Sequence, residues 1–320
     1  MKNKKTSDFF MKYGVPLVLL AVVLIIQAAN PTKALLGSTN LSLIISHTSV
    51  LGLIALGLCL IMIVGEIDMS IAGIIGFLCI VFSKILRDTE LGPVLSFLII
   101  LGMGVGFAIL ASSLVVRLKV SSFIVTVVLM FVTMGADKAV NKGKPIWLEH
   151  DGMRSLGSEV LGITVLAWIL IAAYIIWFFV VNKTKFGFHL RITGENEQAA
   201  REVGVRTGQI KIMAFVFAGV LYALAALIEP VRSGGATIYA GEPYLLPAMA
   251  ACFLGSTMFK PGHVNVIGTF VGALFMMLIW NFMTFLGVIY YLVPIIQGGL
   301  LLASVIFANM HSREIKQNKM

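Results

Sequence analysis

The sequence predicts an all-α, polytopic membrane protein of about ten transmembrane helices, with one short or broken segment. Three observations lead to this prediction. Hydrophobic residues make up 59% of the 320 residues, and the mean hydropathy is +0.98. Only 12% of the residues are charged, which is about half the share found in soluble domains. Apolar runs close to the roughly 20 residues that cross a bilayer as a helix recur along the whole chain.

The apolar runs define ten predicted membrane segments. The segment 245–259 is unusual, because it is short, contains Pro247 and follows the glycine-rich stretch "RSGGATIYAGEP". Interrupted segments are tolerated at membrane depth where they are buried in protein or line a cavity, and transporters often place their working parts there. The predicted segments are 14–29, 41–64, 69–86, 93–116, 120–135, 161–182, 211–230, 245–259, 264–286 and 290–309.

The first segment and the loop charges define a predicted topology. "MKNKK", the apolar run from Val15 and "AAN" at 28–30 resemble a signal peptide, but we expect an uncleaved span because it begins a regular series. Ten spans put both termini on one side. That side holds 16 of the 24 Lys and Arg residues, so both termini are expected in the cytoplasm of a multi-pass inner or plasma membrane protein.

Composition also argues against several functions. Cys59, Cys79 and Cys252 lie inside apolar runs without paired spacing, which is typical of packing residues. No cluster has metal-ligand spacing and no nucleophile has an evident base, so we expect no catalytic residues, no metal site and no cofactor on this chain. The net charge of +9 fits cytoplasmic loops better than nucleic-acid binding. Gly143-Lys144 precedes Pro145 and lacks the pattern of a nucleotide-binding loop.

Polar residues inside the apolar segments are candidates for a solute pathway. Ser42, Ser46 and Ser49 recur at i, i+4 and i+7, which places three hydroxyls on one helix face. Asn281, Thr284 and Gln297 add neutral hydrogen-bonding groups in the last two segments. Such a lining suits an uncharged, polyhydroxylated solute. The alternative is local hydrogen bonding to helix carbonyls or close helix packing.

The stretch "VGEIDMS" at 64–70 is a charged break between two apolar runs. We interpret Glu66, Asp68 and Ser70 as a structural turn, with Asp68 or Ser70 capping the next helix. The alternative is that Glu66 and Asp68 form a proton relay.

Two glycine pairs at helical spacing predict close contacts between helices. These pairs are Gly102/Gly106 and Gly268/Gly272. Glycine at i and i+4 lets a neighbouring backbone approach closely. The sequence leaves open whether that neighbour belongs to the same chain or to a second copy.

The stretch "GENEQAAREVGVRTGQIK" (194–211) is polar and helix-forming, between the sixth and seventh segments on the predicted cytoplasmic side. Ala199, Ala200 and Val203 fall on one side of a short amphipathic helix that ends at Gly204. A surface helix rooted at both ends in membrane segments is suited to receive force from a soluble partner.

Several ordered motifs resemble those of one family. "QAAREVG" (198–204) resembles the Glu-Ala-Ala-x-x-x-Gly loop of ABC-importer permeases, with Gln198 in the glutamate position. "GEIDMS" (65–70) is similar to the Gly-Gly-Ile-Asp-Leu-Ser turn of the ribose-type monosaccharide permeases, and "GEPYLLPAMAACFLGST" (241–257) resembles a second element of theirs. The similarity continues through "GTFVGALF" (268–275) and covers the chain from Asn40 onward.

The resemblance implies a single permease domain over 1–320, with a cytoplasmic coupling loop at 183–210. It implies a separate ABC ATPase subunit as the partner that hydrolyses ATP, a second permease copy as homodimer or heterodimer, surrounding membrane lipids and an extracytoplasmic sugar-binding protein. That protein would dock near Glu229, Arg232 and Glu242. The residues that the resemblance assigns to ATPase coupling are Glu197, Gln198, Ala199, Ala200 and Gly204.

The sequence leaves the solute and the transport class open. Glu66 stands where the motif has a second glycine, Ser256 replaces another glycine, and Pro247 stands where an acid is common. The solute could therefore be a monosaccharide, a nucleoside or a furanose-like signalling molecule. The main alternative is an ion-coupled secondary transporter or facilitator, with Glu66 and Asp68 as coupling residues. A membrane scaffold or an enzyme subunit is a further alternative.

Overall fold

The computed structural model describes residues 37–148, 153, 156–160, 162–259 and 262–317, together with the single residues 17, 21, 24 and 27. These residues form eleven α-helices and four two-residue strands. The helices are α1 (Ser38–Ile63), α2 (Ile71–Asp88), α3 (Pro93–Arg117), α4 (Ser122–Val140), α5 (Val165–Lys183), α6 (Lys185–Glu195), α7 (Glu197–Glu202), α8 (Thr207–Ser233), α9 (Glu242–Ser256), α10 (Val266–Phe285) and α11 (Val293–Gln317).

Nine of the ten predicted membrane segments coincide with a helix whose ends differ by at most five residues, except that α11 continues eight residues beyond the predicted end at 309. The first, 14–29, lies outside the described residues apart from four single positions. Six described helices, α1, α3, α4, α5, α8 and α10, are long and apolar enough to cross a membrane. Helix α2 carries Lys84, Arg87 and Asp88 in its last five residues, α9 has only 15 residues, and α11 is apolar only over Val293–Ile306. The protein is thus mostly helical and multi-pass, and its described part supports six spans by length and composition.

Helices α1 and α8 form the centre of the molecule. In the most apolar window of each helix, 83% of the α1 residues and 67% of the α8 residues are buried, against 28% for α3 and α4. The ring of Tyr222 on α8 packs against Gly57 on α1, and the Tyr174 hydroxyl of α5 donates to the Gly52 carbonyl of α1 over 2.9 Å. Apolar residues on α3 and α4 are exposed, as expected for helices that face lipid.

The four short strands form two antiparallel pairs in the loops between helices. Strand β1 (Ile146–Trp147) follows α4 and pairs antiparallel with β4 (Gly235–Ala236), which follows α8. Strands β2 (Glu159–Val160) and β3 (Ile163–Thr164) form a second antiparallel pair just before α5. The first pair therefore joins the loop after α4 to the loop that leads into α9.

Two non-helical segments each lead into a helix that begins inside the protein. Residues 66–69 precede α2, and residues 237–241 precede α9. The two regions meet, since a side chain at Gly241 would clash with the Ala72 carbonyl oxygen at the start of α2. The Tyr239 N–H also donates to the buried Asp137 carboxylate of α4 over 2.7 Å. Non-helical backbone buried in this way has its polar groups satisfied by protein rather than by water.

The two predicted glycine pairs differ. Gly268 and Gly272 on α10 pack directly on the α9 backbone at Gly255 and Ala251, so their contact lies within the chain. A Cβ at Gly102 or Gly106 would meet no heavy atom of the described residues within 4 Å. The same spacing therefore gives a tight helix contact for Gly268 and Gly272, and no such contact among the described residues for Gly102 and Gly106.

Candidate functional site

The polar stretch between α5 and α8 folds into two short helices with side-chain caps. Thr184 starts α6 by accepting the Gly187 N–H over 3.2 Å. Asn196 starts α7 in the same way, accepting the Ala199 N–H over 3.0 Å. The chain turns back at Gly204, whose φ of 86° favours glycine. The sequence therefore specifies α7 as a separate short helix, with the Asn196 cap at its start and the Gly204 turn after its end.

Helix α7 directs its predicted coupling residues in different directions. Gln198 and Ala199 are exposed, whereas Ala200 is buried at 3% exposure. Val203, which immediately follows α7, is 75% exposed. The predicted common face of Ala199, Ala200 and Val203 is therefore split, because the chain turns back at Gly204 and only Ala200 faces the protein. The outward surface consists of Gln198, Ala199, Glu202 and Val203, beside the exposed Arg201 that pairs with Glu197.

A lysine joins α7 to the turn after α1. The Lys211 ammonium of α8 lies 2.7 Å from the Glu197 carboxylate of α7 and 2.5 Å from the Glu66 carboxylate. The side chains of Lys211 and Glu66 are only 13% and 14% exposed. Shielded charge pairs with short hydrogen bonds are stronger than surface pairs. We call Glu66, Glu197 and Lys211, with Arg201 and Thr207, the Lys211 cluster.

Arg201 and Thr207 complete the environment of Glu197. The Arg201 guanidinium donates to the Glu197 carboxylate and to the Thr207 hydroxyl, over 2.5 Å and 2.9 Å. Burial acts to raise the pKa of Glu197, but hydrogen bonds from Lys211 and Arg201 outweigh it, so this pKa is lower than usual. Glu197 is therefore ionised at neutral pH and holds two cations from different turns of the chain.

The Lys211 cluster borders a cavity of about 550 Å³. One wall is the segment that contains Glu66 and Ile67, and another is the turn between α3 and α4. Helices α7 and α8 close the third side. This cavity separates the end of α3 from α7, so neither is packed rigidly against the other.

Residues 66–69 form an extended segment whose donors are satisfied by other elements. The Ile67 N–H donates to the Ser122 hydroxyl over 3.3 Å, and the Met69 N–H donates to the Thr126 hydroxyl over 3.0 Å, both on α4. Asp68 is 2% exposed. The Asp68 carboxylate accepts the Ser70 N–H over 2.8 Å and the Tyr222 hydroxyl over 3.2 Å. Asp68 thus supports the start of α2 and also contacts α8, far from any solvated surface.

A second charged cluster lies between α1, α8, α9 and α10. The Arg232 guanidinium donates two hydrogen bonds of 3.0 and 2.6 Å to the Glu229 carboxylate. The Tyr244 hydroxyl donates to the same carboxylate over 2.8 Å. Arg232 also lies 3.0 Å from Nε2 of His47, whose ring stands edge-on to Trp280. We call these five residues the Arg232 cluster.

The Arg232 cluster corrects an expectation about the surface. Glu229 and Arg232 were expected to be exposed near a docking protein, but Glu229 is 7% exposed and the Arg232 side chain 15%. The two charges neutralise each other, which allows both to be buried. Of the three expected surface charges only Glu242 is exposed.

The predicted pathway residues fall into separate places. Asn281 exchanges two side-chain hydrogen bonds with Asn40, of 2.8 and 3.2 Å, and so joins α10 to α1. Ser49 and Thr284 donate their hydroxyls to carbonyls of their own helices, at Ile45 and Trp280. Ser42, Ser46 and Gln297 are partly buried on α1 and α11. Among the described residues, Asn281 is thus the one predicted pathway residue with a side-chain hydrogen bond to a polar side chain on another helix.

Sequence reasoning did not single out Lys211, His47, Tyr244 or Trp280. The spacing of Glu229 and Arg232 at i and i+3 inside an apolar run is a signal of an ion pair on one helix face. No comparable signal exists for Lys211, because its two partners are 145 and 14 residues away.

The chain is similar to one family of permease components and to several named import permeases. The family described as "Branched-chain amino acid transport system / permease component" matches residues 40–305. The chain is 30% identical to the ribose import permease protein RbsC of Bacillus subtilis (strain 168), over 92% of both chains. It is 30% identical to the galactose/methyl galactoside import permease protein MglC of Escherichia coli (strain K12), over 95% of this chain and 96% of MglC.

A third relative has a different named cargo. The chain is 31% identical to the autoinducer 2 import system permease protein LsrC of Photorhabdus luminescens, over 84% of this chain and 81% of LsrC. No solved structure matches the chain.

Proposed function

The chain belongs to the branched-chain amino acid transport system / permease component family, and we propose that it is the membrane-spanning subunit of an importer for a monosaccharide-like solute. Three relatives carry names of import permeases for ribose, galactosides and autoinducer 2. Ribose, galactose and methyl galactoside, the cargoes in two of these names, are small, neutral and rich in hydroxyl groups. The named relatives thus favour a sugar or a compact sugar-like molecule.

Helix α7 is the observation that supports an ATP-driven mechanism. It is a separately capped helix with the exposed surface Gln198, Ala199, Glu202 and Val203. Small and apolar side chains allow a partner protein to approach closely. The surface is rooted in the membrane helices by the Lys211 cluster. A docked ATPase could therefore displace membrane helices through α7.

ATP hydrolysis belongs, in this proposal, to a partner chain. The sequence has no nucleotide-binding loop, since Gly143-Lys144 precedes Pro145. The proposed assembly contains two permease copies, two ATPase domains and an extracytoplasmic sugar-binding protein. About ten spans, with both termini cytoplasmic, would place α7 on the ATPase side. Nucleotide and solute shift the balance between outward-open and inward-open states only through their different affinities for the two states.

The polar residues of α1 and α10 are the proposed solute pathway. Ser42, Ser46 and Ser49 lie on α1, and Asn281 and Thr284 lie on α10, with Gln297 on α11. The Arg232 cluster borders α1 and α10 and is internally neutral, because Arg232 and Glu229 pair. A neutral pathway with donors and acceptors suits hydroxyl groups better than a charged solute.

The proposal is tested by purifying the chain from its native membrane in mild detergent and identifying bound proteins by mass spectrometry. We expect an ABC-type ATPase, and we expect Val203→Asp to release it by placing a charge on the docking surface. Gln209→Asp, an exposed change just outside that surface, is the matched control and should retain the ATPase. A chain that purifies alone and moves solute in liposomes without ATP would instead favour the ion-coupled or facilitator alternative.

A further inference from the structure

Among the described residues, Lys211 is the one whose ion pairs connect α7 to the turn after α1. It contacts Glu197 at the first position of α7 and Glu66 at the start of the extended segment 66–69. Both contacts are short, and Lys211 and Glu66 are mostly shielded from water. A shift of Glu197 would therefore change the position of Lys211 and, through it, that of Glu66.

Glu66 is a departure from the motif that the surrounding residues resemble. The Gly-Gly-Ile-Asp-Leu-Ser turn has glycine at this position, and glycine could not bind the Lys211 ammonium. The ion pair is therefore a feature of this chain rather than of the shared turn. A buried carboxylate is costly unless it is paired, so Glu66 and Lys211 depend on each other.

The extended segment 66–69 is held by few hydrogen bonds and borders a cavity. The Glu66 N–H bonds to the Ile61 carbonyl at the end of α1, but the Ile67 and Met69 N–H groups bond to single hydroxyls of Ser122 and Thr126. The cavity of about 550 Å³ lies along the same segment and leaves room for it to shift. At its far end, Asp68 contacts Tyr222 of α8 and Ser70, the residue just before α2.

We propose that Lys211 is a positioning residue that transmits movement of α7 to the extended segment 66–69 and so to the buried start of α2. The inference rests on the proposed function, because a docked ATPase supplies the movement of α7. Its physical basis is a shared ion pair: one ammonium holds carboxylates from two elements, and all three charged side chains line the same cavity. Without Lys211, Glu66 and Glu197 would lose the cation that they share, and the backbone packing of Gly194 on Ile63 and Val64 would still connect the two elements.

A purely structural role for Lys211 gives a different expectation. In that case its removal would lower the stability of the protein but leave the nucleotide response of the extended segment intact. The test therefore needs a reporter on the segment itself. All three native cysteines are buried, so a cysteine introduced at the exposed Ile67 is a selective site for a thiol reagent.

The experiment uses the full permease–ATPase complex with Ile67→Cys and measures the rate of maleimide modification without nucleotide and after trapping with ADP and vanadate. We expect a rate change of about fivefold or more, the lower range of coupling between sites. Lys211→Met should reduce this change to less than about twofold while the ATPase stays bound, and Lys211→Arg should restore it because the ion pairs can form again. Glu66→Gly, which restores the motif glycine, provides a second variant should Lys211→Met fold poorly.

The outcomes separate the inference from its premise. A full nucleotide response in Lys211→Met or Glu66→Gly, with the ATPase bound, would overturn the role of Lys211 and leave the importer function standing. Failure of the unmodified chain to bind any ATPase would overturn both. Loss of the response in both variants and its return in Lys211→Arg would support the inference.

Discussion

The thiol of Cys79 on α2 lies 3.5 Å from the carbonyl oxygen of Ala226 on α8. In a regular helix this carbonyl would accept the N–H of residue 230, but Pro230 has none. The cysteine therefore supplies a donor to a carbonyl that the proline leaves without its helical partner. Both residues are fully buried, so water cannot take this role.

Replacing Cys79 should reveal this dependence. Cys79→Val removes the donor at similar volume and should cost about 1 kcal/mol, whereas Cys79→Ser should keep the bond. In a Pro230→Ala background the helix regains its own N–H, and the cost of Cys79→Val should shrink. Thermal unfolding in detergent of the unmodified chain, Cys79→Val, Pro230→Ala and the double variant measures the coupling between the two positions. Equal costs in both backgrounds would mean that the thiol does not serve the Ala226 carbonyl.

The two glycine pairs should respond oppositely to alanine. A Cβ at Gly272 would meet the Ala251 carbonyl oxygen of α9, so Gly272→Ala should destabilise by about 1–3 kcal/mol through overpacking. A Cβ at Gly106 would meet no heavy atom of the described residues within 4 Å, and Gly106→Ala should be neutral or stabilise by about 0.5–1 kcal/mol, since alanine favours helix. Both are measured by thermal unfolding. A strongly destabilising Gly106→Ala would show that this face packs against residues other than those that the structure describes.

The Arg232–Glu229 pair should be more sensitive to losing one partner than to losing both. Arg232→Met leaves the Glu229 carboxylate buried without its cation, at a cost of about 3–5 kcal/mol. Adding Glu229→Leu removes that unpaired charge and should recover part of the stability. Detergent thermal unfolding of single and double variants tests this. Additive losses would contradict a coupled pair.

Neighbouring alanines of α7 should differ in what they affect. Ala200 is 3% exposed, so Ala200→Asp should destabilise the fold by burying a charge. Ala199 is exposed, so Ala199→Asp should leave the thermal stability of the isolated chain unchanged and weaken ATPase binding. Size-exclusion profiles and pull-down yields distinguish the two effects. The reverse pattern would mean that Ala200, not Ala199, faces the partner.

The apolar segments were predictable because each reflects a local property, a run of about 20 residues without charge. Helices α3, α5 and α10 therefore begin and end close to the predicted segments. The extended segment 66–69 was predictable only as a break. Its burial depends on hydroxyls of Ser122 and Thr126 that come more than 50 residues later.

The short helix α7 was predictable and its orientation was not. The motif indicated α7 and its end at Gly204, but which alanine faces inward depends on how the chain returns into α8. The sequence likewise gives no indication of a special role for Lys211, since nothing local indicates that Glu66 would reach it. Contacts across such sequence distances have no periodic pattern to reveal them.

The burial of α1 has a consequence for how the chain tolerates random substitution. Its central residues, from Thr48 to Ile61, are enclosed on all sides, whereas α3 and α4 are enclosed along one stripe. A saturation scan of growth on the transported solute should thus find α3 and α4 permissive at all but every third or fourth position. Along α1 it should find unbroken intolerance, with even isoleucine-to-valine changes registering.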